Sequence, residues 1–377
     1  MESCEVLIVG GGPAGSSCAR HLVQQGIDVL VMDKRDFPRD KVCAGWVTPP
    51  VMAVLDVDLG DYARNRTLQS IRAFRSGMLD DAIVDTNYDD IVSYGIRRYE
   101  FDDYLLRRSG ARLRLGEAVE SIERNKSTWC INDNVEAPLL IGAGGHFCPV
   151  ARTLHNSLGG EEPAITAQEV EFEMSEAQAR ACRIDPDRPE LLFLSDLTGY
   201  GWCVRKGNFL NVGLGSEDNH RLGERMNGFL DKLIATGRVH PDTPRKFKGH
   251  AYLLYPTAPR PLFDDGVMLI GDAAGLAYAQ SGEGIRPAVE SGLLAAQTII
   301  ENRGNTSREA LAAYGKRIEQ RLGPRGVTGG TPAWLNVRLK QRLAAMLMRN
   351  RWFARRVLLD KWFLRRHDPA LNLLYKA

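Results

Sequence analysis

Val6-Leu7-Ile8-Val9-Gly10-Gly11-Gly12-Pro13-Ala14-Gly15 opens the chain with an apolar strand, a glycine turn and a helix start. The three spaced glycines have separate tasks. Gly10 turns the chain sharply out of the strand, Gly12 lets the backbone approach a pyrophosphate, and Gly15 lets the helix lie close to the sheet. The first N–H groups of a helix lack intrahelical acceptors and sit at the positive end of its dipole, so an anion is favoured there. Apolar spacing predicts a helix from Pro13 to Gln25, ending at Gly26, and then a buried strand, Val29-Leu30-Val31-Met32. That strand ends on Asp33, about twenty residues past the turn, where a carboxylate can accept from a ribose hydroxyl. The unit reads as the start of a dinucleotide-binding βαβ fold.

A second signature lies far downstream. Val267-Met268-Leu269-Ile270 reads as a buried strand and runs into Gly271-Asp272-Ala273-Ala274-Gly275; Gly282-Glu283-Gly284-Ile285 and a helical run from Arg286 to Glu301 follow. An aspartate at a strand end can accept from the hydroxyls of a ribityl linker, and a helix N-terminus can face the electron-rich edge of an isoalloxazine. Nicotinamide cofactors have no ribityl chain, so the two signatures together point to FAD.

With Arg98-Tyr99-Glu100-Phe101-Asp102 between them, these motifs resemble the FAD-dependent group that includes p-hydroxybenzoate hydroxylase-like enzymes. Within that group, Lys41-Val42-Cys43-Ala44-Gly45, Gly282-Glu283-Gly284-Ile285 and Tyr200-Gly201-Trp202 with Asn211-Val212-Gly213-Leu214-Gly215 are similar to the geranylgeranyl reductase family. The resemblance covers residues 1 to about 300 and implies a flavoenzyme that saturates C=C bonds of an isoprenoid or other long apolar substrate. There are two departures. Gly144 stands where the hydroxylases carry aspartate, and Val204-Arg205 replace the Phe-Pro that follows the reductases' tryptophan. The alternative is an FAD monooxygenase, hydroxylase or halogenase acting on an aromatic metabolite.

Residues expected at the cofactor are Gly10, Gly12, Pro13, Ala14, Gly15, Asp33, Lys34, Arg35, Ala44, Gly45, Arg98, Val119, Ala143, Gly144, Gly271, Asp272, Gly284 and Ile285. Arg98 is expected to reach a phosphate or the adenine-side ribose, and Arg97, of opposite side-chain direction, to be solvated. Cys43, in a loop of small residues, is the candidate catalytic side chain, gating the substrate or donating a proton. Trp46, Tyr200 and Trp202 are the candidate substrate pocket; the last two share strand parity and therefore a face. No second glycine fingerprint marks a nicotinamide site, so NAD(P)H and a reduced carrier both stand as electron donors.

The 377 residues allow more than one domain, and 44% hydrophobic with 25% charged residues argues against disorder. Seven scattered cysteines without a CxxC pair point to a reducing compartment and to no metal centre. No apolar run reaches the ~20 residues of a membrane span, and the first strand begins too near Met1 for a secretion signal. A cytoplasmic protein is expected. The net charge of +2 hides an asymmetry: residues 321–366 carry +11 and the remainder −9. Trp334, Trp352, Phe353, Trp362 and Phe363 lie among these arginines, and Leu339, Leu343, Met346 and Leu347 follow helical spacing. A basic amphipathic helix with interfacial aromatics suggests peripheral contact with an anionic membrane; nothing resembles a nucleic-acid reader.

The pattern predicts an α/β fold (α+β overall): a discontinuous Rossmann-type FAD-binding domain with an inserted β-rich substrate domain and a helical C-terminus. The cofactor domain would comprise 1–67, 96–155 and 256–300, the substrate domain 68–95 and 156–255, and the helical region 301–377. Ala118–Ile122 is expected to be a strand returning to the cofactor domain, strands are expected to dominate from Ile165 to about Tyr255, and Lys206-Gly207-Asn208 to turn a hairpin.

Overall fold

The apolar run Val6–Val9 is buried at every position, as a strand flanked on both sides by others must be. In the computed structural model, which describes residues 1–154, 162–326 and 336–373, this strand lies inside a six-stranded sheet. Val6–Val9 pairs in parallel with Val29–Asp33 and Leu139–Gly142; Arg112–Leu115 and Val267–Leu269 extend the parallel array, and Phe263–Asp264 closes one edge antiparallel. Helix Pro13–Gln24 follows the glycine turn and packs against helix Ile285–Glu301. Their contact depends on a missing side chain, since a Cβ on Gly292 would stand 2.3 Å from the Ala14 carbonyl oxygen; the first helix in turn sits on the glycine turn, where a Cβ on Gly15 would stand 2.0 Å from the Gly10 carbonyl oxygen. The two motifs, more than 250 residues apart in sequence, are thereby held side by side. A four-stranded sheet (Glu2–Ser3, Ile122–Asn125, Thr128–Ile131 and Val135–Ala137) shares the same core.

The second layer is a mixed seven-stranded sheet, ordered Lys248–Leu253, Ala164–Glu173, Phe209–Ser216, Gly199–Lys206, Glu190–Phe193, Ala73–Met78, Ile83–Asn87. One face is covered by helix Leu222–Ala235, whose Leu222, Met226, Phe229, Leu230 and Leu233 recur at helical spacing and pack on Val170, Cys203, Leu210, Val212 and Leu214. The opposite face, by strand parity, presents Ala167, Glu169, Tyr200, Trp202, Val204 and Asn211 toward the parallel sheet and the C-terminal segment. The hairpin forms with Lys206 opposite Phe209 and Gly207 at φ +59°.

Three sequence expectations change. Residues 118–121 form no strand; the edge of the parallel sheet is Arg112–Leu115, and the next strand starts at Ile122 in the four-stranded sheet. Two helices, Glu176–Ala181 and Leu222–Ala235, interrupt the strand-rich stretch. Ser93–Ile96 pairs with both Leu68–Ile71 and Trp46–Val47 in a separate small sheet, while the strands between Leu68–Ile71 and Ser93–Ile96 join the seven-stranded one. The C-terminal residues are helical over Arg308–Leu322 and Val337–Met348, then turn through Arg351–Phe353 into a wider, π-type stretch, Ala354–Phe363. Trp334 lies outside the described residues.

Candidate functional site

A cavity of ≈ 740 Å³ opens where the glycine turn, the Arg39–Trp46 loop, the Gly271–Ile285 segment and the inner face of the seven-stranded sheet meet. Its volume is in the range of sites that enclose cofactor-sized ligands. Gly12, Pro13 and Ala14 form one end. A Cβ on Gly12 would meet only the guanidinium of Arg39, at 3.5 Å, so the turn is bare and faces a cation. Gly10 and Gly15 stand behind this surface against backbone, and Gly271 against the methyls of Ala14 and Ala288. Asp33 lines the cavity with Lys34 and Arg35; its two oxygens accept from Gly11 N at 2.8 Å and Arg35 N at 3.0 Å, which fixes the turn.

Arg98 reaches the cavity wall, but its fork is spent on Asp102, with bonds of 2.6 and 2.7 Å. Asp102 is fully buried and also takes Arg39 at 3.2 Å. One carboxylate thus serves two guanidiniums, leaving a surplus positive charge beside the glycine turn. Arg97 is not solvated: it bonds Glu100 at 2.9 Å, approaches Glu171 at 3.4 Å and covers the Phe209 ring at 3.6 Å. Val119 is absent from the cavity lining and packs at the margin of the cofactor-side core, because its expected strand does not form.

Asp272 accepts from His250 Nε2 at 3.2 Å, and the Lys41 ammonium lies 2.7 Å and 2.9 Å from the two ring nitrogens of His250. Burial would raise the Asp272 carboxyl, but the His250 hydrogen bond and the Lys41 and Arg98 charges outweigh it and hold the group well below the usual carboxylate range. Burial lowers Lys41 to about 8 despite Asp272, and burial together with Lys41 lowers His250 to about 4. At neutral pH the cluster is therefore an ammonium, a neutral imidazole and a carboxylate. Ala143 and Gly144 form the wall beside it, where Gly144 packs against Cys148, 3.3 Å from where a Cβ would be.

Cys43 faces the cavity half-buried, its sulfur accepting from Gly45 N at 3.4 Å. Its loop is tied to the seven-stranded sheet: Asn211 Nδ2 donates to the Cys43 carbonyl at 3.1 Å and to Glu169 at 3.2 Å, while Trp202 Nε1 donates to Asn211 Oδ1 at 2.7 Å. Lys206, almost wholly buried, bonds Glu171 at 2.7 Å beneath Gly45. Trp46, Tyr200 and Trp202 all line the cavity, joined by Phe193, Tyr252 and Phe363. Tyr200 sits 6.1 Å from Trp202 and 5.3 Å from Phe363 between ring centroids, and its hydroxyl donates to Ser281 O at 2.6 Å. Ala44, Gly45, Gly284 and Ile285 complete the wall.

Sequence reasoning overlooks Arg39, Lys41, His250, Tyr252, Glu283 and Phe363. The first two flank Cys43 in a stretch that stands out by its motif, and His250 and Tyr252 share strand parity; both signals are legible. Phe363 reaches the site through the path of the C-terminal segment, which no local pattern specifies. Among the described residues no cluster of His, Cys, Asp or Glu is arranged to hold a metal ion, and no helix is long and apolar enough to cross a membrane.

Residues 3–88 match the sequence profile of an FAD binding domain. The menaquinone reductase of Mycobacterium tuberculosis H37Rv is 31% identical over 325 residues, covering 79% of this chain and 77% of its own length. A digeranylgeranylglycerophospholipid reductase of Methanocaldococcus jannaschii is 25% identical over 333 residues, 84% of this chain and 82% of its own. The crystal structure of a geranylgeranyl bacteriochlorophyll reductase-like protein from Thermoplasma acidophilum superposes with a TM-score of 0.71 at 22% identity, over 93% of this chain and 88% of that one. The flavin-dependent halogenase CmlS shares the fold at a TM-score of 0.66 and 20% identity, over 85% of this chain and 63% of its own. The bare glycine turn beside Arg39, with Asp33 and Asp272 spaced along one cavity, fits the cofactor these relationships require. The chain is an FAD-dependent oxidoreductase and belongs to the geranylgeranyl reductase-like family.

Proposed function

We propose that the chain reduces carbon–carbon double bonds of an isoprenoid or another long apolar substrate in the aromatic part of this cavity. The observation that carries the reading is the wall made by Trp46, Phe193, Tyr200, Trp202 and Phe363, whose rings pack against one another, with Phe363 edge-on to Phe193 and Tyr200 and the other pairs tilted, along the sheet side of the cavity. The relation to a digeranylgeranylglycerophospholipid reductase supports the same substrate class. When bound and reduced, FAD supplies a hydride to one alkene carbon. The chain's own groups bind, orient and exclude water. Gly12, Ala14 and Arg39 would hold the phosphates, Asp33 the ribose, and Asp272 the hydroxyls of the linker. Arg98 acts through Asp102 and the placement of Arg39. Cys43 gates the approach of the alkene, its loop held by Asn211 and Glu169. In this division the parallel sheet serves the cofactor and the seven-stranded sheet the substrate.

The finer placement of the enzyme is at an anionic membrane surface. Leu339, Leu343, Met346, Leu347 and Trp352 are exposed, Trp352 by 67%, although apolar side chains of this size usually bury. Among the described residues, Arg338, Lys340, Arg342 and Arg351 beside them have no acidic partner, whereas Arg349, Arg356, Arg365 and Arg366 are paired. The test of the reaction is direct. FAD-loaded protein, reduced anaerobically with dithionite, is mixed with digeranylgeranylglycerophospholipid in detergent, and the lipid is read by mass spectrometry for added hydrogen pairs. Absence of saturation, with oxygen and reductant consumption accelerated instead by an aromatic compound, would overturn the reductase reading in favour of a monooxygenase.

A further inference from the structure

Five carboxyl side chains line the cavity; three have other partners and a fourth is open to solvent. Asp33 holds two backbone N–H groups, Asp40 pairs with Lys248, Asp272 belongs to the Lys41–His250 cluster, and Glu217 is exposed to solvent. Glu283 is the exception. It is half-buried in the turn that enters helix Ile285–Glu301, and one of its oxygens accepts from the Arg286 backbone N–H at 3.0 Å. Among the described residues its other oxygen has no partner.

The cations around it make their ion pairs with other carboxylates, although among the described residues Arg286 Nη2 and Arg365 Nε keep no hydrogen-bond partner. Arg286 bonds Glu290 at 2.9 Å, and Arg321 grips the same Glu290 at 2.6 and 2.7 Å. From the C-terminal segment, Arg365 pairs with Asp368 at 2.9 Å and covers the Tyr278 ring at 3.6 Å. Tyr278 and Tyr200 are the remaining titratable groups facing Glu283, and both are neutral phenols whose own ionisation burial suppresses. Glu290 adds a like charge. Burial in this setting pushes the Glu283 carboxyl up to about 7, with the Arg286 N–H and the more distant Arg286 and Arg365 charges opposing. Across the cavity, the Tyr200 hydroxyl bonds Ser281 O, two residues before Glu283, so the aromatic wall and this turn are one rigid edge.

We propose that Glu283 is the general acid of the reduction, delivering the proton to the alkene carbon that does not receive hydride. The proposal rests on the reductase reading above. In the step the carboxyl O–H bond breaks and the alkene π bond breaks. The N–H bond of the reduced flavin breaks with its electron pair leaving on the hydride, which forms one C–H bond; the former π pair and the Glu283 proton form the other. The reduced flavin is oxidised by two electrons, and the carboxylate left on Glu283 is reprotonated from water.

The test uses FAD-loaded wild type, Glu283→Gln and Glu283→Asp, with digeranylgeranylglycerophospholipid as probe. Oxidation of dithionite-reduced flavin by the probe is followed anaerobically between pH 5 and 9. In the wild type the rate holds at low pH and falls as pH rises through about 7, since the acid must carry its proton. Glu283→Gln should retain FAD but lose about 100-fold in rate, the scale of general acid catalysis, and lose the pH dependence. Glu283→Asp should recover part of the rate together with a pH dependence. An independent readout is infrared difference titration without substrate: a protonated carboxyl band that disappears near neutrality in the wild type and is missing from Glu283→Gln. Wild-type saturation of the probe with an unchanged rate and pH profile in Glu283→Gln overturns the assignment alone. A wild type that does not saturate the probe overturns the reductase reading and this assignment together.

Discussion

Replacing glycine by alanine at two helical positions should move this protein in opposite directions. Position 15 is in the first turn of Pro13–Gln24, and position 228 is mid-helix in Leu222–Ala235. Alanine gains up to about 1 kcal/mol over glycine from helix propensity at either place. At Gly228, which is exposed, a Cβ meets nothing within 4 Å, so that gain stands alone. At Gly15 the Cβ would stand 2.0 Å from the Gly10 carbonyl oxygen and 3.2 Å from Ile8 Cγ2. Relief requires a movement of roughly 1 Å or more, in backbone rather than in a flexible side chain, and overpacking of this kind costs about 1–3 kcal/mol or more. The clash therefore outweighs the gain at Gly15, and because the propensity term is common to both variants they should differ by about the clash itself, about 1–3 kcal/mol. The carbonyl that must move also belongs to the turn proposed above to hold the phosphates, so FAD affinity should fall at least tenfold, about 1.4 kcal/mol. Urea unfolding and the release of flavin fluorescence on dilution measure the two quantities. If Gly15→Ala binds FAD like the parent and stays within about 0.5 kcal/mol of its stability, the close helix–turn contact is not what builds the site.

Cys43→Ala should keep FAD and the fall of rate above neutral pH while lowering turnover; a wild-type rate would make the thiol a packing group. Glu169, buried beside Asn211, is pushed up to about 7 by burial. The folded state then binds more protons than the unfolded chain between its ordinary pKa of about 4.3 and that value, so stability is lost as pH rises through this window. Glu169→Gln mimics the protonated form and should be more stable than wild type at pH 8 but not at pH 4.5, as read by denaturant midpoints; an equal offset at both would refute the linkage. Vesicle flotation should show binding to anionic but not neutral bilayers, weakened by salt, with about 1 kcal/mol from each of Arg338, Lys340, Arg342 and Arg351. Trp352→Ser combined with Arg351→Ser should reduce it; unchanged partition would return this face to ordinary solvated surface.

The cofactor half of the protein is written locally. A strand, three glycines, a helix and an acidic strand end are neighbours in sequence, so period and turn chemistry suffice to read Gly10, Gly12, Gly15 and Asp33. The Gly271–Gly275 signature is as self-contained. Strand parity alone likewise puts Tyr200 and Trp202 on one face. Local patterns do not say which elements face each other. Val119 reads as part of a strand that the register of Arg112–Leu115 against Val29–Asp33 makes unnecessary. Arg97 reads as exposed because parity leaves out the Phe209 ring and Glu171, which arrive from another sheet. The stripe Leu339, Leu343, Met346 and Leu347 reads as the apolar face of an amphipathic helix by period, but period does not say what covers it; these four stay exposed while Met348, Leu358, Leu359 and Phe363 do the packing. Protonation states depend most on tertiary structure. Whether Asp272 keeps its charge or Glu283 keeps its proton is set by how far each is desolvated and by which cations are already committed, and those distances exist only once His250, Lys41, Glu290 and Arg365 have been folded around them.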